Sequence, residues 1–331
     1  MALPELAEGA VMELSVILPC FNGAATVAVQ LEALTRQHWP GGWEVIVVDN
    51  GSTDHSMAIV ERYRDRLPHL RIVPAHKPGT PRLGVPHSYN TGIQAATGEA
   101  FVFCEADDEV AEGWLEAMGR ALETHEFVLA RLDHHKLNPP SLHPLAGNGF
   151  QADGLYRHPD EPHYFSGSAA GFGIRRSLYE AIGPLSIDFP IAHDDEYCCR
   201  AQAAGYSLHF EPAALVHYRE RSTLGDRYRQ GRGWGRDTTL MHMARGWTPA
   251  RHPVPRQLLF MARCLPEGAS ALVASGLHRP TGQRRLADWV WNFGWSVGKL
   301  QALAKANTDA PRKSEGARSG PREASGLHKS P

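Results

Sequence analysis

Four carboxylate-bearing or amide-bearing clusters and one arginine run have the residue types and spacing to do chemistry. Glu105-Ala106-Asp107-Asp108 puts three carboxylates within four residues. In an extended segment, residues i and i+2 point to one side, so Glu105 and Asp107 can face a common ligand. Such hard oxygen donors suit Mg2+ or Mn2+ held together with phosphate groups. A solvated acidic turn, with Asp108 capping the next helix, is the competing reading. Pro19-Cys20-Phe21-Asn22 and Asp49-Asn50-Gly51-Ser52-Thr53-Asp54 are polar segments that directly follow apolar runs. His193-Asp194-Asp195 stands at the head of an amphipathic stretch, where an acid serves well as a helix cap and stays ionised near the helix N-terminus. Arg219–Thr223 and Arg227–Arg236 (RYRQGRGWGR) gather arginines that can hold phosphate oxygens bidentately. There is no GxGxxG, no GxxxxGK[ST] and no GxSxG, which removes the dinucleotide fold, the P-loop and the nucleophile elbow. His193, His209, Cys198 and Cys199 lack zinc-finger spacing.

The elements that must position these clusters alternate between strand and helix. Glu13–Pro19, Trp43–Val48, Leu70–Pro74 and Ala100–Cys104 read as short buried strands. Ala24–Gln37, Ser56–Leu67 and Pro86–Ala96 read as the intervening helices. That alternation predicts an α/β fold with a doubly wound, mostly parallel sheet. Ligands then bind at the carboxyl ends of the strands, where three of the polar clusters fall. Residues 134–165, rich in His, Pro and Gly, read as an irregular connection. Asp194–Gly205 reads as a helix with a glycine stop.

The 331 residues are 42% apolar and 21% charged, enough for a packed core. No uninterrupted apolar run approaches the ~18–20 residues of a membrane span. The N-terminus is acidic where a signal peptide would be basic. Five cysteines without CxxC point to a reducing, cytoplasmic setting. The net charge of −2 hides an asymmetry: Tyr218–Pro331 carries 20 Lys+Arg against 8 Asp+Glu, while residues 1–217 carry 14 against 28. The basic third is expected to meet an anionic membrane, a phosphate-bearing ligand or the acidic front of the same chain. Gln283–Ala306, with Trp289, Trp291, Phe293 and Trp295 beside Arg284, Arg285 and Lys299, is either an interfacial segment or packs its aromatics on the domain. From Pro311 onward the composition predicts disorder.

The order SVILPCFNGAATV, VIVVDNGSTD, NTGIQAATGEAFVFCEADD, GSAAGFGIRRSLYEAIGPL and DDEYCCRAQAAGYSLHFEPAALVHY resembles a family 2 glycosyltransferase of GT-A fold over residues 13–218. The resemblance implies an N-terminal extension at 1–12, a nucleotide-sugar half at 13–110 and an acceptor half at 111–218. A basic lid and helical C-terminal region at 219–306 and a tail at 307–331 follow. It implies an inverting transfer of a single sugar from a nucleotide diphosphate-sugar, with UDP as the family-level expectation, to a saccharide or lipid-linked acceptor hydroxyl in glycan or cell-envelope synthesis. Mg2+ or Mn2+ is the implied cofactor. Nucleic acid is not an expected partner; the basic third and its aromatic stretch leave peripheral contact with the inner face of an anionic membrane as one alternative.

Residue by residue, the resemblance puts Pro19, Phe21 and Asn22 against the base, and Asp49 and Asn50 beneath base and ribose. Asn50 replaces a common Asp. Tyr89 stands where Arg is common, which passes a phosphate contact to Lys77 or Arg82; Gly84 and Asn90 match the family's spacing. Glu105 and Ala106 would lie near the ribose, Asp107 would hold the metal, and His217 would add a further metal or phosphate contact. The register to Arg200 makes Asp194 the general base, with Asp195 the alternative and His193 in place of a common Glu. Arg229, Arg232 and Trp234 would form a flexible lid over the diphosphate and acceptor. The Gln-x-x-Arg-Trp motif of processive relatives is not matched. The changes at Glu105, Asn50, Tyr89 and His193 also suit a catalytically silent nucleotide-binding relative; a nucleotidyltransferase would want a glycine-rich loop after the first strand.

Overall fold

The computed structural model describes residues 11–147, 149–157, 163–247, 253–277 and 279–309. In chain order the elements are β1 (Leu14–Cys20), α1 (Val27–Leu34), β2 (Trp43–Asp49), α2 (Ser56–Glu61), β3 (Arg71–Pro74), α3 (Val85–Ala95) and β4 (Ala100–Phe103). Then come β5 (Glu109–Val110), α4 (Trp114–Leu122), β6 (Phe127–Asp133), β7 (Tyr156–Arg157), β8 (Phe165–Ser166) and β9 (Phe172–Arg175). The chain continues through α5 (Arg176–Ile182), α6 (His193–Ala203), β10 (Leu208–His217), α7 (Leu224–Ala244), α8 (Pro253–Gly276) and α9 (Pro280–Asp309). Eight strands form one sheet in the order β3-β2-β1-β4-β9-β6-β10-β5, and β7 pairs with β8.

The first half is parallel throughout: β3, β2, β1 and β4. β9 then runs antiparallel between β4 and β6, which the sequence pattern did not reveal. Both faces of the sheet are covered, so the central strands are apolar without alternation. In β1, Val16 and Leu18 pack on one side with Val27 and Leu31 of α1 and Met118 of α4. Ile17 points the other way, into a cluster with Tyr89 and Ile93 of α3 and Tyr197 of α6. α1 and α2 are shorter than the periodicity suggested, because turns take up Ala24–Thr26 and the residues after Glu61.

The basic back third is three long helices. α7 begins at Thr223, whose hydroxyl accepts from the Asp226 amide at 3.1 Å. Its glycines do not make a flexible lid. Gly231 and Gly235 of α7 lie one turn apart, as do Gly294 and Gly298 of α9, and the two pairs face each other. A Cβ at Gly231 would sit 2.1 Å from the Trp291 carbonyl oxygen, and one at Gly298 2.0 Å from that of Arg232. Glycine is required here because backbone meets backbone. The Trp289–Trp295 aromatics pack within the protein. Trp289 stacks on Phe293 and donates from Nε1 to the Cys264 carbonyl of α8 at 2.9 Å, and Trp291 lies beside Trp295. α8 is the one helix among the described residues long and apolar enough to cross a membrane, by length and composition. Prolines, Arg256, Arg263 and Glu267 interrupt its apolar run, so no uninterrupted apolar stretch marks it in the sequence. Residues 1–10 of the N-terminal extension and 310–331 of the tail lie outside the described residues.

Candidate active site

Parallel β1, β2 and β4 deliver their carboxyl ends to one edge, where a cleft of about 800 Å³ opens. The loops after β1 and β2 are laced together. Asn22, with φ of 50°, accepts from the Thr53 amide at 2.8 Å and donates its own amide to Ser52 Oγ at 3.2 Å. Asp54 accepts from the amides of Ala24 at 3.0 Å and Ser56 at 2.9 Å. Asp49 accepts from the Ser52 amide at 2.8 Å, and so braces this turn rather than lining the cleft. Pro19, Phe21, Asn22 and Asn50 do line it. Asn50 is buried, and its Oδ1 has no partner among the described residues, an orphaned group that a ligand donor would satisfy. Arg82 sits outside the lining with its guanidinium 3.6 Å from the centre of the Phe21 ring, so it backs that ring. Asn90 is structural: its side-chain amide makes two bonds, 2.8 and 2.9 Å, with the backbone of Leu185.

After β4, the strand paired with β1, Glu105, Asp107 and Asp108 bring one carboxylate oxygen each to within 4.8 Å of the others. Burial, then the charge of Asp107, pushes the Glu105 carboxyl up to about 7. Burial and both neighbours push Asp108 well above the usual range. Asp108 Oδ2 lacks a partner among the described residues. Crowded hard-oxygen donors with unspent charge and an orphaned oxygen fit a divalent cation. The chain segment after β10 closes over them. The Arg219 amide donates to Asp108 Oδ1 at 2.7 Å, and Arg221 Nη1 donates to Asp107 Oδ2 at 2.8 Å. The sequence offers Arg221 as one of the phosphate-holding arginines and Asp108 as either a third carboxylate or a cap; the structure pairs Arg221 with Asp107 and keeps Asp108 in the carboxylate cluster. His217 does not join this group. Its Nδ1 lies 2.7 Å from Asp133 Oδ2, because β10 aligns His217 with Asp133 on β6.

α6 also opens on the cleft. Asp194 and His193 line the cleft, whereas Asp195 lines an adjoining cavity of about 490 Å³ and accepts from the Ser166 hydroxyl. Adjacent helical residues point ~100° apart, which is how two neighbouring acids serve two spaces. Burial and the Asp195 charge raise Asp194 well above the ordinary carboxylate range; burial pushes Asp195 up to about 6. Burial also lowers His193 to about 4, leaving the ring neutral, with Nδ1 3.1 Å from the Pro190 carbonyl and Nε2 unpartnered among the described residues. From α7, Arg229 and Trp234 reach the cleft; Arg232 is exposed and does not. Trp234 belongs to both spaces, and Trp291 and Trp295 of α9 wall the second.

The family described as Glycosyl transferase family 2 matches residues 15–183, half of the chain. The uncharacterized glycosyltransferase YibD of Escherichia coli (strain K12) is 37% identical over 112 residues, 34% of this chain and 31% of YibD. The poly(ribitol-phosphate) beta-N-acetylglucosaminyltransferase TarS of Staphylococcus aureus (strain Mu50 / ATCC 700699) is 32% identical over 119 residues, 34% of this chain and 19% of TarS. The chain thus spans less than a third of either relative. Among solved structures, the mannosyltransferase PcManGT from Pyrobaculum calidifontis, in complex with GDP-Man and Mn2+, superposes with a TM-score of 0.57 at 21% identity, covering 87% of this chain and 86% of that one. With the mixed sheet, the acidic cluster at its carboxyl edge and the matched family spanning β1 to α5, the chain belongs to glycosyl transferase family 2.

Proposed function

We propose that the protein transfers a single sugar from a nucleotide diphosphate-sugar to an acceptor hydroxyl, with inversion. The observation that carries this reading is one cleft lined by Asn50, Glu105, Asp107 and Asp194, with Asp108 buried beside the two acids. The base lies against Phe21 and Asn50. Asp107, with Glu105 and Asp108, would hold Mg2+ or Mn2+, which when bound neutralises charge on the leaving diphosphate. PcManGT, of like fold, was crystallised with Mn2+ and GDP-Man. Arg229 faces the same phosphate space, and Arg221, paired with Asp107, is on hand there. The adjoining cavity, walled by Trp234, Trp291 and Trp295, receives the saccharide acceptor; its link with the cleft brings the acceptor hydroxyl to Asp194.

In the reaction, the acceptor oxygen attacks the anomeric carbon. The bond from that carbon to the phosphate oxygen breaks, and its electron pair leaves with the diphosphate. Asp194 takes the acceptor proton. TarS acts, by its name, on poly(ribitol-phosphate), and we propose an acceptor of glycan or cell-envelope class for this chain.

A thermal-shift screen across nucleoside diphosphates with and without Mn2+ tests the reading, since a ligand bound only by the folded state raises the melting temperature. One nucleotide should stabilise the wild type only when Mn2+ is present, and Asp107→Asn should abolish that increment while Glu105→Gln weakens it. An equal shift in wild type and Asp107→Asn would remove the cluster from the site.

A further inference from the structure

α8 turns an uncovered apolar face outward. Leu258, Leu265 and Leu272 follow one another at seven-residue intervals and are 50–62% exposed. Leu259 and Val273 flank them at 53% and 70%. At 100° per residue these five side chains, with Ala262 and Ala269, fill an arc of about 140° that holds no charged residue. The opposite stripe is the packed one. Trp289 of α9 presses on Gly268, where a Cβ would meet its ring at 2.3 Å, and Gln257 and Cys264 bond to α9.

The border of the exposed arc is charged and net basic. Arg256 and Arg263 lie along one edge with exposed Glu267 behind them, and exposed Arg279 follows the helix end. Residues 253–309 together hold seven Lys+Arg and three Asp+Glu. An apolar strip bordered by arginine matches the interface of an anionic bilayer, where the strip enters the acyl boundary and the guanidiniums stay among headgroups. A positively charged face also repels its own copy and attracts an anionic surface.

α8 is long enough to cross a bilayer, yet its packing argues for lying flat. Its inner stripe is held by α9, which carries Arg284, Arg285, Asp288 and Lys299 and is locked by glycine contacts to α7. Spanning would drag those charges into hydrocarbon. We propose that α8 is an interfacial helix that docks the protein on anionic lipid membranes through Leu258, Leu259, Leu265, Leu272 and Val273. This surface lies outside the cleft, and the proposal stands independently of the sugar-transfer reading.

Flotation of the full chain with vesicles of equimolar phosphatidylcholine and phosphatidylglycerol, and with phosphatidylcholine alone, is the test. The wild type should float with the anionic vesicles at low salt and much less with the neutral ones. Leu259→Asp/Val273→Asp should stay at the bottom with an unchanged melting temperature. Arg256→Gln/Arg263→Gln should bind roughly fivefold more weakly per arginine removed, with the gap closing at high salt. Flotation of the Leu259→Asp/Val273→Asp variant would show that charge elsewhere holds the membrane and would overturn the proposal. So would a wild type that never floats. A wild-type dimer that this variant converts to monomer, with no flotation of either, would assign the face to a second copy instead.

Discussion

Asp194 and Asp195 differ by one position and face different spaces, so substitution separates their duties. Asp194→Asn keeps shape but cannot take a proton; it should lower kcat about 10²–10⁴-fold with donor-dependent thermal shift intact. Asp195→Asn should cost much less turnover, and it should stabilise the protein in a pH-dependent way. The Asp195 carboxyl is raised to about 6 from an ordinary value near 3.8. The folded state therefore holds this proton more tightly than the unfolded chain. Stability from it is full below pH ~4 and is lost as pH rises through ~6. Asparagine carries no such loss, so the variant should gain up to about 3 kcal/mol at pH 8 and almost nothing at pH 4, read from melting curves at the two pH values. The family spacing back from Arg200 selects Asp194, and of the two acids it is Asp194 that lines the cleft. The second cavity that Asp195 serves was not legible in the sequence, because its walls come from β6, α7 and α9.

At the scale of elements, the α7–α9 crossing sets where Arg229 and Trp234 stand. A Cβ at Gly235 would lie 2.0 Å from the Trp295 carbonyl oxygen, against backbone that has no rotamer to yield. Gly235→Leu should cost about 1–3 kcal/mol or more and raise KM for acceptor and donor together. Gly225→Ala meets its nearest neighbour, Arg229, at an ordinary 3.5 Å and should be neutral or stabilising by up to about 1 kcal/mol. Comparison of the two melting temperatures separates close packing from chain flexibility as the reason for glycine. RYRQGRGWGR read as a flexible lid because glycine marks both mobility and close approach, and only the partner helix decides which. The strand clusters were easier, since β-branched runs buried on both faces carry their own signal.

Across the whole molecule, one buried charge network joins the glycosyltransferase sheet to the C-terminal helices. Glu220 lies 3.1 Å from His134 at the end of β6 and 3.0 Å from Arg227 of α7, and Arg227 reaches Asp288 of α9 at 3.3 Å. Burial opposes ionisation of Glu220, but the His134 bond and the Arg227 charge outweigh it and bring the carboxyl down to about 2. Its contribution is thus present above pH ~4.5 and lost as pH falls from there toward 2. Arg227→Ala leaves Glu220 and Asp288 without their shared cation and should cost about 3–5 kcal/mol at pH 7, less at pH 3. Equal losses at both pH values would show that Arg227 acts through packing alone.

The sequence by itself determined the family, the parallel first half of the sheet and the acids at its carboxyl edge. These are local: a strand's apolar run, the turn residues that end it and the spacing of a few side chains are written in contiguous residues. Tertiary structure decided what depends on residues far apart in the chain. It inserted β9 antiparallel between β4 and β6, turned Asp49 and His217 onto neighbours, set Arg221 on Asp107 and Asp108 beside it, and packed α7 on α9 through facing glycines. It also chose which aromatic and aliphatic residues to cover, closing the tryptophans of α9 inward and leaving the leucines of α8 outside. Burial is a property of the partner surface, and a single chain segment does not carry that surface in its own sequence.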